Sequence, residues 1–161
     1  MSKDLEVISR FKQYEDFNQL PSILQSLVEK ASEAAQNAYA PYSNFKVGAV
    51  LLDDKGDYHS GSNQENAAYP SGMCAERVAL FAAYSKNPDV QIKTLAVVAN
   101  NTKGVVPAPP CGSCRQTILE CEVRQNTPIQ IVICYDKGTY LVADSIEDLL
   151  PLSFTNKHLG V

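Results

Sequence analysis

The chain has 161 residues, enough for one domain with a substantial core, and its hydrophobic fraction of 45% and charged fraction of 20% are those of an ordinary soluble globular protein. A net charge of −4 argues against a nucleic-acid partner, since neutralising phosphates requires clustered Lys and Arg. No apolar run approaches the roughly 18 residues of a membrane span, so no membrane partner is expected.

Residues 1 to about 20 form a polar N-terminal extension whose apolar positions (Val7, Ile8, Phe11, Tyr14, Phe17, Leu20) follow neither the helical nor the strand period. Its first residues, Met1 to Glu6, lack the apolar centre of a signal peptide. The five cysteines are an odd number and cannot all pair within the chain. In a reducing cytosol they stay thiols, so the expected location is cytoplasmic. Residues 21–161 read as one domain.

Pro21-Ser22 opens a helix with Leu24, Leu27, Val28, Ala31, Ala34, Ala35 and Ala38 on one side, and it stops before Pro41. From Phe45 the period changes to two. Asp53 to Asp57 is turn chemistry, so Lys46–Leu52 and Tyr58–Asn63 form a hairpin. A polar loop, Gln64 to Gly72, leads to a helix from Cys74 to Tyr84. Lys93–Ala99 is a short β-branched run typical of a central strand, and a proline-rich loop over 100–110 precedes a helix from Cys111 to Val123. Ile129–Cys134 and Gly138–Val142 are two further strands, and Ser145 caps a short helical turn. This order predicts an α/β fold, a three-layer α/β/α sandwich around a mixed sheet of about five strands.

Chemistry concentrates in two short motifs, Cys74-Ala75-Glu76-Arg77 and Pro110-Cys111-Gly112-Ser113-Cys114. Cys111 and Cys114 are one helical turn apart, and Cys74 sits at a helix start where free N–H groups favour thiolate. Three thiolates supply the protein ligands of a catalytic zinc and leave a fourth tetrahedral position for water. Glu76 lies close to the metal without having to bind it, as in zinc deaminases, where a non-ligand glutamate carries protons. Arg77 either offsets the negative charge of three thiolates or makes a structural salt bridge. Cys121 lies about 10 Å along the helix from Cys114, too far to share an ion through Zn–S bonds of about 2.3 Å. Cys134 belongs to an apolar strand, and His59 and His158 are expected on the surface.

These motifs resemble the cytidine deaminases, specifically the small homotetrameric class with three cysteine ligands. The resemblance extends from about Ala38 to Phe154. Ala40-Pro41-Tyr42-Ser43-Asn44-Phe45 resembles the family segment whose phenylalanine lines the pyrimidine pocket, which implies that role for Phe45. Asn63-Gln64-Glu65-Asn66 is similar to the ribose-binding motif, implying that Asn63 and Glu65 hold sugar hydroxyls. The resemblance also implies that the backbone of Ala75 faces the base, that Arg77 relieves thiolate charge, and that one zinc is held per subunit. Leu150-Pro151-Leu152-Ser153-Phe154 resembles a C-terminal segment whose phenylalanine enters a neighbouring subunit's site, implying a homotetramer with composite sites.

The implied activity is hydrolytic deamination of cytidine and deoxycytidine to the uridine products, a pyrimidine-salvage reaction. Three alternatives remain open at this level. One is a deaminase of another cytosine nucleoside such as a blasticidin-type antibiotic. Another is a nucleic-acid editing deaminase, which would need a basic, aromatic-rich tract that the chain lacks. The last is a structural zinc module, which would need a closed site with four protein ligands.

Overall fold

The computed structural model describes residues 2–101, 104–136 and 138–160. Seven strands, β1 (Lys12–Tyr14), β2 (Lys46–Asp53), β3 (Tyr58–Ser62), β4 (Ile92–Asn101), β5 (Gly104–Val106), β6 (Gln130–Asp136) and β7 (Thr139–Ala143), form one sheet. Its order is β1-β7-β6-β4-β2-β3, with β5 paired to the end of β4. Among the described strands only β4 and β6 pair in parallel, and the crossover between them carries the third helix. The helices are α1 (Ser22–Gln36), α2 (Ala75–Lys86) and α3 (Gly112–Gln125).

Strand parity sorts the core into two layers, because successive side chains point to opposite faces. Ala49 and Leu51 of β2, Leu95 and Val97 of β4, and Ile131 and Ile133 of β6 are buried together with Ala79 and Leu80 of α2 and Ile118 and Leu119 of α3. The alternate residues, Val50, Ala96, Val98, Val132 and Cys134, are buried with Leu24, Leu27, Val28 and Ala31 of α1. With helices on both faces, β2 is buried from Gly48 to Leu51, so the simple alternation expected of its sequence is lost.

The three-layer α/β architecture therefore stands, but the sheet has seven strands rather than about five. The two added strands are three residues each and owe their state to partners. Lys12–Tyr14 pairs with Tyr140–Val142, and Gly104–Val106 folds back on Ala99–Asn101 within the loop expected to be irregular. The short turn capped by Ser145 is a 3-10 turn over Ile146–Leu149. His59 is not a free surface residue: its Nε2 lies 2.9 Å from Asp53 Oδ2.

Glycines at two positions let the helices sit close to the sheet. A Cβ on Gly48 would stand 2.0 Å from the Ala31 carbonyl oxygen, and one on Gly61 would stand 2.5 Å from the Ala75 carbonyl oxygen. The second contact matters for the site, because Ala75 opens the helix that carries Glu76.

Candidate metal centre and active site

Cys74 and Cys111 occupy equivalent places at the N-termini of α2 and α3. Each adopts extended backbone as the residue before the helix, and its carbonyl accepts the first intrahelical bond, from Val78 N–H at 3.0 Å and Arg115 N–H at 2.9 Å. Cys114 follows in the first turn of α3 and is buried. Two helix starts are thus brought together, each presenting free N–H groups and partial positive charge to a thiol.

The three Sγ atoms lie within 4.8 Å of one another, and Cys74 and Cys111 are 3.9 Å apart. Tetrahedral zinc with bonds of about 2.3 Å sets its sulfur ligands about 3.8 Å apart, so the observed spacing suits one ion. Among the described residues this is the one cluster of three or more His, Cys, Asp or Glu able to hold a metal, and it contains no fourth protein ligand. Cys121 and Cys134 are buried elsewhere in the core, as expected.

The thiols influence one another. A hydrogen bond with Cys114, followed by burial acting the other way and then Arg77, brings the Cys74 thiol down to about 5. The same shared bond and burial push Cys114 upward. Arg77 donates from Nη2 to Cys74 Sγ at 3.6 Å, while its buried Nε has no hydrogen-bond partner. The guanidinium of Arg77 thus lies against the Cys74 thiol.

Glu76 is 4% exposed. Burial pushes its carboxyl above the ordinary range, and the charge of Cys74 adds to the shift. Glu76 and Ala75 line a pocket of about 550 Å³ that also receives Cys74, Cys111, Phe45, Asn63 and Glu65. Residues separated by more than sixty positions in the chain thus share one cavity. Phe154 does not line it. Its ring is 56% exposed and stacks on His158, with centroids 5.3 Å apart, while its carbonyl accepts from Gln116 Nε2 at 2.9 Å.

The side of the pocket formed by Asn63 and Glu65 is held by side-chain hydrogen bonds. Asn63 accepts from Val47 N–H at 2.7 Å through Oδ1 and donates from Nδ2 to the Phe45 carbonyl at 2.9 Å. Glu65 Oε2 accepts from Tyr42 N–H at 2.9 Å and Ser43 N–H at 3.3 Å, and Oε1 accepts from Ser43 Oγ. These donors, led by the Ser43 hydroxyl, hold the Glu65 carboxyl below its ordinary range. Both polar residues therefore clamp the turn that carries Phe45. Sequence reasoning missed Ser43, although a serine two residues before Phe45 is the pattern of a local side-chain turn.

Helix starts converging three thiols beneath a pocket, on a three-layer α/β sandwich, define the class: a zinc-binding α/β protein with an open metal site. Residues 21–128 match the family described as the cytidine and deoxycytidylate deaminase zinc-binding region. A cytidine deaminase of Sporosarcina psychrophila is 39% identical over 138 residues, covering 85% of this chain and 95% of that one. A cytidine deaminase of Halalkalibacterium halodurans is 47% identical over 96 residues, 60% of this chain and 70% of the relative. The crystal structure of cytidine deaminase from Burkholderia pseudomallei superposes with a TM-score of 0.69 at 40% identity, covering 80% of this chain and 97% of that one. The chain belongs to the cytidine and deoxycytidylate deaminase family. The metal its three cysteines are positioned to hold is accordingly zinc.

Proposed function

We propose that the protein is a zinc-dependent cytidine deaminase that hydrolyses cytidine and deoxycytidine to uridine and deoxyuridine with release of ammonia. One observation carries this reading: three thiols gathered for one ion, two of them lining a pocket of about 550 Å³ that the buried carboxyl of Glu76 also lines. The relatives named cytidine deaminase support the substrate. Zinc, when bound, supplies the Lewis acidity that makes water a nucleophile near neutral pH.

The chain's residues do the rest. Cys74, Cys111 and Cys114 hold the ion, and Arg77 offsets their charge. Glu76, buried and with its carboxyl raised above the ordinary range by that burial, takes a proton from the attacking water and delivers it to the ring nitrogen. The water oxygen bonds to C4, the C4–N bond breaks, and the second water proton passes through Glu76 to the departing ammonia. Phe45 packs against the pyrimidine, the backbone of Ala75 faces it, and Asn63 and Glu65 receive the sugar hydroxyls. Phe154, turned away from its own pocket, completes the site of a neighbouring copy in a homotetramer. Five free thiols suit a reducing compartment, which supports a cytoplasmic salvage role.

The test is ammonia release from cytidine and deoxycytidine by zinc-loaded protein, with the Glu76→Gln variant alongside. The variant is expected to keep its zinc and lose on the order of 10²–10⁴ in rate, the scale of general acid–base catalysis. Near-normal turnover by Glu76→Gln would remove Glu76 from the proton path. Turnover of a blasticidin-type nucleoside alone would replace the substrate.

A further inference from the structure

The segment Tyr42-Ser43-Asn44-Phe45 is a turn with an unusual backbone, since Asn44 adopts a left-handed φ of 54°. Non-glycine residues rarely sit there, although asparagine does so more readily than most. The turn that results points the N–H groups of Tyr42 and Ser43 at one oxygen of Glu65, 22 residues further along the chain. Ser43 Oγ donates to the other Glu65 oxygen and accepts from Phe45 N–H at 3.0 Å. One hydroxyl therefore joins the carboxylate expected to read the sugar to the residue expected to pack on the base.

The acceptor count makes this contact consequential. A carboxylate offers about four lone-pair sites, two on each oxygen. Oε2 spends both on backbone N–H groups and Oε1 spends one on Ser43, which leaves a single acceptor site on Oε1. The direction of that remaining site is set by the Ser43 hydroxyl. Without it, Glu65 is held through one oxygen only and the other is free to turn into solvent at the pocket mouth.

We infer that Ser43 is a positioning residue for sugar recognition: it orients the free lone pair of Glu65 toward one nucleoside hydroxyl. The inference rests on the deaminase reading above. It concerns recognition of the sugar, so its effect belongs in KM for substrates that carry hydroxyls, and not in the chemical step.

The experiment compares cytidine with 2′,3′-dideoxycytidine in wild type, Ser43→Ala and Ser43→Thr, with melting temperatures as the control for folding. Ser43 is exposed, and the alanine variant is expected to fold. Its KM for cytidine should rise about tenfold or more with kcat changed less than about threefold, while its kcat/KM for the dideoxy substrate changes by less than about threefold. Ser43→Thr, which keeps the hydroxyl, should recover cytidine KM to within about threefold of wild type. Equal losses on both substrates, no loss on either, or a threonine variant as impaired as alanine would each overturn the positioning role. Wild type without turnover of cytidine would defeat the deaminase reading and this inference with it, whereas an active wild type with an unaffected Ser43→Ala defeats the inference alone.

Discussion

The two halves of the pocket are made of different material. The metal half stands on the first turns of α2 and α3, with Cys114, Ala75 and Glu76 at 0%, 0% and 4% exposure, and its geometry comes from helix backbone packed against a sheet. The other half, proposed above to face the sugar, stands on loops, with Tyr42 and Tyr69 50% and 77% exposed, and its geometry comes from hydrogen bonds of Ser43 to Glu65 and of Asn63 to the backbone of Val47 and Phe45. The difference separates two tasks. The thiols stand on helix first turns, Cys114 buried, Cys74 half-buried and Cys111 exposed, while the opposite half rests on loops held by a few replaceable contacts.

The largest expected effect breaks the metal half. Cys111→Ala should reduce zinc from about one per chain to near none, abolish turnover and lower the melting temperature, because metal binding is coupled to folding. Metal analysis with parallel thermal melts checks it. A variant that retains stoichiometric zinc would show that Cys111 is not a ligand. Glu76→Gln comes next, since it leaves the three cysteines in place and removes only the carboxyl proposed to carry the proton.

The two close-packed glycines then test whether the site depends on one helix layer more than the other. Gly48→Ala drives a methyl into the Ala31 carbonyl and the Ala35 N–H of α1, and Gly61→Ala into the Ala75 carbonyl and the Ala79 N–H of α2. Each should cost about 1–3 kcal/mol or more, read as a lower urea midpoint. Only Gly61→Ala should also lower kcat in the folded protein, because it displaces the helix that begins beside Cys74 and carries Glu76. Equal kcat in the two variants would mean that the position of α2 is not what sets the chemistry.

The smallest effect concerns a carboxyl far from both halves. Asp53 in the β2–β3 hairpin is buried, which by itself raises its pKa, but the His59 ring and the Asp57 and Lys55 N–H groups outweigh that and hold it below the ordinary value. A depressed carboxyl pKa contributes stability that is present at neutral pH and lost as pH falls below about 3.9. Asp53→Asn should therefore lower stability at pH 7 and flatten its fall at acid pH, as read from denaturant melts between pH 3 and 7. Cytidine turnover at pH 7 should hardly change.

Much of the metal half was legible in the chain. A helix start is written locally, so Cys74 and Cys111 could be placed at helix N-termini and Cys114 one turn on, and Cys121 could be set aside by distance alone. The sugar-facing half was legible only as a motif. That Asn63 and Glu65 first hold the Phe45 turn depends on contacts across sixteen and twenty-two residues, which no local period reveals. Glu122 shows the same limit. Nothing in its local sequence marks it, yet its buried carboxylate accepts from Ile129 N–H at 2.8 Å, Ile146 N–H at 3.0 Å and Ser145 Oγ at 2.8 Å. It thereby ties the end of α3 to β6 and the C-terminal turn.

By itself, then, the sequence determined the helices, the central strands and the metal-binding motif, because hydrophobic period, caps and short spacings act within a few residues. Tertiary structure decided that Lys12–Tyr14 and Gly104–Val106 become strands, that Phe154 stacks on His158 outside the pocket lining, and that Ser43 meets Glu65. The physical reason is that three-residue strands and single side-chain contacts are too weak to form alone. They exist only when a larger sheet has already brought distant parts of the chain into register.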